Sequence, residues 1–275
     1  MAAPLLWADV RIVDDAGDTL VLERPATRII SLVPHATELL FNIGAQDLIQ
    51  ATVAFADYPE EARALPRIGD YNSINTEAII IYEPDLLIAF SSGPNTAQID
   101  RLRQLGYPVF TSDPQSFADI DRTLRMLGEL TGRKNGAKEA ADAFTKGIAG
   151  LRNQYSGKAP LSVFYQVWHD PIITLNGNTF ISSVIELCGG VNVFAELPVL
   201  SPQVSLESVI DKNPDVIVTG PSDSGEASYW QQWPQLRAIA TDALIEINPD
   251  TLHRPTPSLL VGASALCEAM DQVRR

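Results

Sequence analysis

The sequence predicts an α/β fold of two related lobes, each built on a parallel sheet, joined by one long helix. Three observations carry that prediction. Short apolar runs of buried-strand length alternate with segments of helical period, the pattern of a parallel sheet covered by helices. A stretch in the middle of the chain holds helical period far longer than its neighbours, and a motif around Glu77 returns around Glu207. The length of 275 residues suits two domains of about 100–200 residues each.

Taken in order, residues 1–27 read as an extension. Val10–Val13 and Thr19–Leu22 flank the turn-rich pentad Asp14-Asp15-Ala16-Gly17-Asp18, which predicts a β-hairpin. An N-terminal lobe over residues 28–130 follows. Residues 28–33 form an apolar strand; Pro34 comes next, then Leu39, Leu40 and Ile43 at helical spacing, closed by Gly44. Residues 86–90 are a further strand, Ile99, Leu102 and Leu105 mark a helix stopped by Gly106, and Val109-Phe110 is another strand. Phe117, Ile120, Leu124, Leu127 and Leu130 outline one helix. Ala137, Ala141, Phe144, Ile148, Leu151 and Tyr155, in steps of four and three, outline the next. That helix spans roughly 30 Å at about 1.5 Å per residue, enough to connect two lobes, and residues 131–158 are assigned to the connection. The C-terminal lobe, residues 159–275, opens with a strand over 162–167.

The repeat is the most informative pattern. Glu77, Ile79, Pro84 and Asp85, before the apolar run that starts at Leu86, match Glu207, Val209, Pro214 and Asp215 before Val216. Each copy reads as a short helix, a Pro-Asp turn and a buried strand. The segment from Thr37 to its glycine also echoes the one from Ser183 to Cys188-Gly189-Gly190. Ligands of such lobes bind beyond the carboxyl ends of the parallel strands, so the loops there form the expected cleft.

Composition narrows the function. Hydrophobic residues at 45% and charged residues at 20% are those of a chain with a core. A formal charge of −14 repels phosphate backbones and argues against nucleic-acid binding. The apolar blocks are too short for a spanning helix, which needs about 18 or more residues. Cys188 and Cys267 each sit on the apolar face of a plausible helix, as a bridge or as two buried thiols. The N-terminal residues lack the charged and long apolar regions of a secretory signal, so either the chain is cytoplasmic or a signal has been removed.

Catalytic signatures are missing: G-x-S-x-G, the Walker A loop, G-x-G-x-x-G, H-E-x-x-H and C-x-x-C do not occur, and residues 220–225 miss the nucleophile-elbow spacing by one. A hydrolase would have to use Ser222 or Ser224 with a loop histidine. His35, His169 and His253 each follow a strand, with His35 and His169 in similar places in the two lobes; they read as ligand contacts, a metal site or surface residues. Phe55, Tyr71, Phe90 and Trp168 fall in cleft-facing loops and suit a large, partly apolar ligand, although each alone could be core. Asp250 and Arg254 occupy the last cleft loop, as ligand contacts or as a rim ion pair. Glu77 and Glu207 are either helix-start acids or paired knobs for a two-fold symmetric partner.

Residues 28–38, Asp57-Tyr58-Pro59, residues 84–88, Cys188-Gly189-Gly190-Val191-Asn192 and residues 202–207 together resemble the helical-backbone periplasmic substrate-binding proteins of ABC importers. Within that class the chain is most similar to the vitamin B12 (cobalamin)-binding members, from about Arg28 to the C-terminus. The resemblance implies two Rossmann-like lobes of the class III type, with cobalamin or a related corrinoid (cobinamide, cobamide) as ligand rather than cofactor. It also implies no catalysis, no metal held by the protein itself, a periplasmic monomer trimmed of its signal, and delivery to a permease dimer with its ATPase subunits. It places ligand contacts at Pro34, His35, Phe55, Tyr71, Phe90, Trp168 with Val167, Ser201, Asp250 and Arg254, transporter docking at Glu77 and Glu207, and a disulfide at Cys188 and Cys267. The chain departs from the pattern at Tyr71 and Phe90, where tryptophan is usual, at Ser201, where an aromatic is usual nearby, and at His35, which replaces a small residue and becomes a candidate contact to the corrin cobalt. Haem or a ferric siderophore is the alternative cargo; Asp70 and Asn72 stand where haem binders tend to carry tyrosine and arginine.

Overall fold

Strands that are apolar on both faces need cover on both sides, and parallel sheets supply it through their crossover helices. The structure, a computed structural model describing residues 9–70, 72–91, 93–221 and 226–275, gathers such strands into two four-stranded parallel sheets. The chain divides into two compact units, one of residues up to 114 together with 118–143, the other of residues 115–117 together with 144–275.

The first unit opens with the hairpin of β1 (Val10–Val13) and β2 (Thr19–Leu22), paired antiparallel around the expected turn. Its parallel sheet holds β3 (Ile29–Ser31), β4 (Ile49–Ala51), β5 (Leu86–Ala89) and β6 (Val109–Thr111) in the order β4-β3-β5-β6. Ile29, Ile30, Leu86, Leu87 and Ile88 have no exposed surface. Helix α1 (Pro34–Asn42) starts on a proline, whose missing N–H is no loss in a first turn, and ends at Gly44, whose φ of 73° a residue with a Cβ resists. Helices α2 (Thr76–Ile81), α3 (Thr96–Gln104) and α4 (Phe117–Thr131) follow. Helix α5 (Lys134–Tyr155) carries the chain out of the first unit and into the second.

The second unit repeats the plan. Strands β7 (Leu161–Tyr165), β8 (Gly190–Asn192), β9 (Val216–Thr219) and β10 (Leu244–Glu246) lie in the order β8-β7-β9-β10, the same as β4-β3-β5-β6. Helix α6 (Phe180–Leu187) takes the place of α1 and likewise ends at a positive-φ glycine, Gly189. Helix α7 (Leu206–Lys212) takes the place of α2. Helices α8 (Glu226–Gln231), α9 (Arg237–Ala240) and α10 (Leu259–Val273) complete the unit. Cys188, just past α6, is disulfide-bonded to Cys267 on α10, with 4.6 Å between their Cα atoms.

The Pro-Asp turns of the repeat have a physical role. Asp85 accepts hydrogen bonds from the Thr27 N–H at 2.9 Å, the Thr27 hydroxyl at 2.8 Å and the Arg28 N–H at 2.8 Å, which fixes the entry to β3 beside β5. Asp215 does the same for β7, accepting from the Ser162 N–H at 2.8 Å and hydroxyl at 2.7 Å. Burial pushes the Asp215 carboxyl up, but hydrogen bonds from Arg237 and Ser162 outweigh it and hold the group below the usual carboxylate range. Two strands, β4 and β8, do not stand out in the sequence: each is a three-residue edge strand, too short to carry a period of its own.

Candidate functional site

Beyond the carboxyl ends of β3, β4 and β5 the first unit encloses a cavity of about 240 Å³. Pro34 and His35 reach it because only two residues separate β3 from α1. Phe55 reaches it from the turn after β4, and Phe90 from the position directly after β5. Val53, Ile74 and Ile99 line its apolar floor. Among the described residues that line it, none carries a charged side chain.

Phe55 is 72% exposed and sits at φ 65°, a conformation that costs a side-chain-bearing residue energy unless its surroundings enforce it. Here they do. The preceding Ala54 N–H donates to the Gly69 carbonyl at 2.8 Å, and the following Ala56 carbonyl accepts from Arg67 at 3.1 Å. Arg67 also donates to the Ala62 and Leu65 carbonyls and pairs with Asp57 at 2.9 Å, so one guanidinium holds the loop from several sides. His35 is buried, its Nε2 lies 2.9 Å from the Ser112 hydroxyl, and its ring meets Phe90 edge-on with centroids 6.1 Å apart. Burial lowers its pKa to about 4 against the pull of Asp113 and Ser112, so the ring is neutral at neutral pH.

In the second unit, Trp168 is 58% exposed, donates from its indole to the Asp170 carbonyl at 3.0 Å, and belongs to a ribbon in which Trp168 bridges Ile173 and Ile173 bridges Gln203. Ser201 is exposed at the start of that third segment. Arg254 donates to Asp250 at 3.1 Å, the ion-pair alternative for these two residues. Between them in sequence, His253 Nε2 lies 2.8 Å from the Tyr165 hydroxyl, and burial lowers its pKa while Asp250 pulls the other way. Glu77 and Glu207 belong to neither cluster. Both are exposed in the first turns of α2 and α7, behind matching N-caps: Asn75 accepts from the Ala78 N–H and Ser205 from the Ser208 N–H. Its own backbone N–H and the Ser205 hydroxyl hold the Glu207 carboxyl below its usual range.

The structure therefore brings Pro34, His35, Phe55 and Phe90 around one cavity. Tyr71, Ser222 and Ser224 lie outside the described residues. His35 and His169 each lie six residues after the matched strand positions Ile29 and Val163, but their settings differ: His35 stands in the first turn of α1, whereas His169 occupies a turn of the long β7–α6 connection, packed edge-on against Tyr229. That connection folds into a ribbon of its own, which the short β3–α1 link has no length to do. Sequence reasoning missed Arg67 and Ser112, which touch the cavity-lining loops through backbone and ring atoms and bear no spacing signal.

A model of the periplasmic binding protein family matches residues 29–249. The vitamin B12-binding protein of Vibrio cholerae serotype O1 is 37% identical over 244 residues, 88% of this chain and 88% of that protein. The crystal structure of the periplasmic vitamin B12-binding protein BtuF of Vibrio cholerae superposes with a TM-score of 0.85 at 36% identity, covering 91% of this chain and 99% of that one. The periplasmic heme-binding protein RhuT from Roseiflexus sp. RS-1, in apo form, has a TM-score of 0.79 at 22% identity, covering 91% and 100%, and shares the fold.

Proposed function

The chain belongs to the periplasmic binding protein family, and from that premise we propose that it binds cobalamin or a related corrinoid and hands it to the permease of an ABC importer. The observation that carries the reading is the cavity beyond β3, β4 and β5, whose described lining is uncharged and carries two aromatic rings and a neutral imidazole. Flat, apolar walls of this kind suit one edge of a macrocycle with few ionic groups. The names of relatives more than a third identical support the same ligand. On this reading the protein is a periplasmic monomer that carries out no reaction of its own. Pro34, His35, Phe55 and Phe90 are its contacts from the first unit, with Tyr71, Trp168, Ser201, Asp250 and Arg254 assigned from the sequence.

Calorimetric titration with cyanocobalamin and with cobinamide tests the ligand. Saturable binding of at least one, at micromolar concentration or below, is expected; millimolar or weaker binding of both removes the reading. Haemin and a ferric hydroxamate titrated alongside distinguish the alternative cargo of the same fold.

Delivery is assigned to Glu77 and Glu207, the matched exposed acids of the repeat, facing basic groups on a two-fold symmetric permease with its ATPase subunits. Exchanging both for lysine is expected to leave corrinoid affinity unchanged and to abolish stimulation of the transporter ATPase by the loaded protein. Full stimulation by the double variant would refute the docking role.

A further inference from the structure

An edge strand leaves alternate N–H and C=O groups facing outward, and β6 is such an edge. At Thr111 the turn of the N-terminal hairpin takes both: the Thr111 N–H donates to Asp14 Oδ2 at 2.9 Å, and the Thr111 carbonyl accepts from the Asp15 N–H at 3.2 Å. Two residues on, the Asp113 N–H donates to Asp15 Oδ2 at 2.6 Å, while Asp15 Oδ1 accepts from Arg122 on α4 at 2.6 Å. Asp14 and the Asp15 side chain are 6% and 5% exposed, so these charge-assisted bonds are sheltered from water.

Ser112 stands between the two clamped residues. Its N–H donates to the Ala89 carbonyl at 2.9 Å, and its hydroxyl meets His35 Nε2 at 2.9 Å. Asp113 in turn accepts from the Ser91 hydroxyl at 2.6 Å, next in the chain to Phe90. Hydrogen bonds, joined by the peptide links of residues 111–113 and 90–91, thus connect the hairpin turn to the two rings, His35 and Phe90, that meet at the cavity.

We propose that the hairpin turn positions the ligand cavity, with Asp15 as a positioning residue that orients His35 through Ser112 and the Phe90 segment through Asp113. The inference rests on the reading of that cavity as the corrinoid site. Its physical basis is preorganisation: rings whose orientation is fixed before the ligand arrives lose less freedom on binding, and a loop beyond an edge strand has no sheet partner on its outer side to fix it.

Nitrogen NMR of the histidine rings in the unliganded full chain reads the chain of bonds directly. In the wild-type protein the His35 nitrogens are expected to hold one tautomer. Asp15→Ala is expected to move them toward tautomer-averaged values, in the direction that Ser112→Ala moves them, and to weaken cyanocobalamin or cobinamide binding about tenfold. Asp15→Asn keeps an acceptor for the Asp113 N–H and should retain most of both properties. Asp85→Ala loosens the opposite end of the same sheet and should leave the His35 signals in place. Unmoved His35 signals in Asp15→Ala, or an equal movement in Asp85→Ala, overturn the proposal. Should Asp15→Ala fail to fold, Arg122→Met, which frees Asp15 Oδ1 and leaves the carboxylate present, is read in its place: a smaller shift in the same direction is expected, and none overturns the proposal. A wild-type protein that binds no corrinoid defeats the functional reading, while the His35 comparison still decides the positioning role.

Discussion

His35 is a basic side chain held neutral inside the protein, and that has a thermodynamic consequence. Its pKa in the folded state is about 4, against 6.5 for the free group. Above pH 6.5 the ring is neutral folded or unfolded, and nothing is lost. As pH falls from 6.5 toward 4 the unfolded chain takes up a proton that the folded one refuses, so stability declines by up to about 3 kcal/mol across that window. His35→Gln is expected to flatten this part of the profile, measured as urea unfolding free energies at pH 7, 6 and 5. Gly69 is the second residue with a specific demand. It sits at φ 149°, and a Cβ there would run into the Ser73 carbonyl and come within 2.7 Å of Ile74 Cα. Its carbonyl also anchors Ala54 beside Phe55. Gly69→Ala is expected to cost about 2 kcal/mol in thermal or urea unfolding and to weaken ligand binding with it. The glycine is plain in the sequence, but the backbone crossing that requires it is set by residues on the far side of the turn.

Among the elements, the longer helices, the central strands and the edge strand β6 were legible, whereas the short helices α8 and α9 and the edge strands β4 and β8 were not. Helix α5 shows itself through Ala137, Ala141, Phe144, Ile148 and Tyr155, all buried along one stripe. Strands β3, β5, β7 and β9 are continuous apolar runs because both faces are covered. Strands β4, β8 and β10 have three residues apiece and take their conformation from the neighbour they pair with. The Pro-Asp repeat was visible as a pattern; its role as a clamp on the preceding strand was not, because Thr27 and Ser162 lie more than fifty residues away in sequence. Removing either clamp, as Asp85→Ala or Asp215→Ala, is expected to lower stability by about 1–3 kcal/mol. The larger loss is expected at Asp215, whose carboxylate also pairs with Arg237 at 2.6 Å. Thermal unfolding of the two variants side by side checks the order.

At the scale of the molecule, the Cys188–Cys267 bond closes a loop with a sequence separation of 79. In the chain-entropy model such a loop contributes about 4.5 kcal/mol by restricting the unfolded chain. The double variant Cys188→Ser, Cys267→Ser is therefore expected to unfold at clearly lower urea concentration, with α6 and α10 losing their covalent tie. What the sequence determined by itself was the plan: two copies of one α/β unit, the helix that connects them, the matched glutamates and the family to which these patterns belong. Hydrophobic period, capping residues and an internal repeat are local or self-referential signals, and they can be read without knowing which residues touch. Tertiary structure alone decided the wall of the cavity. Phe55 was nameable from sequence, but its positive φ depends on Gly69 and Arg67, and the setting of His35 depends on Ser112 and, through it, on the hairpin turn at Asp14 and Asp15. Those partners are brought together by the sheet order β4-β3-β5-β6, and hydrogen bonds between residues distant in sequence leave no period for a reader of the sequence to find.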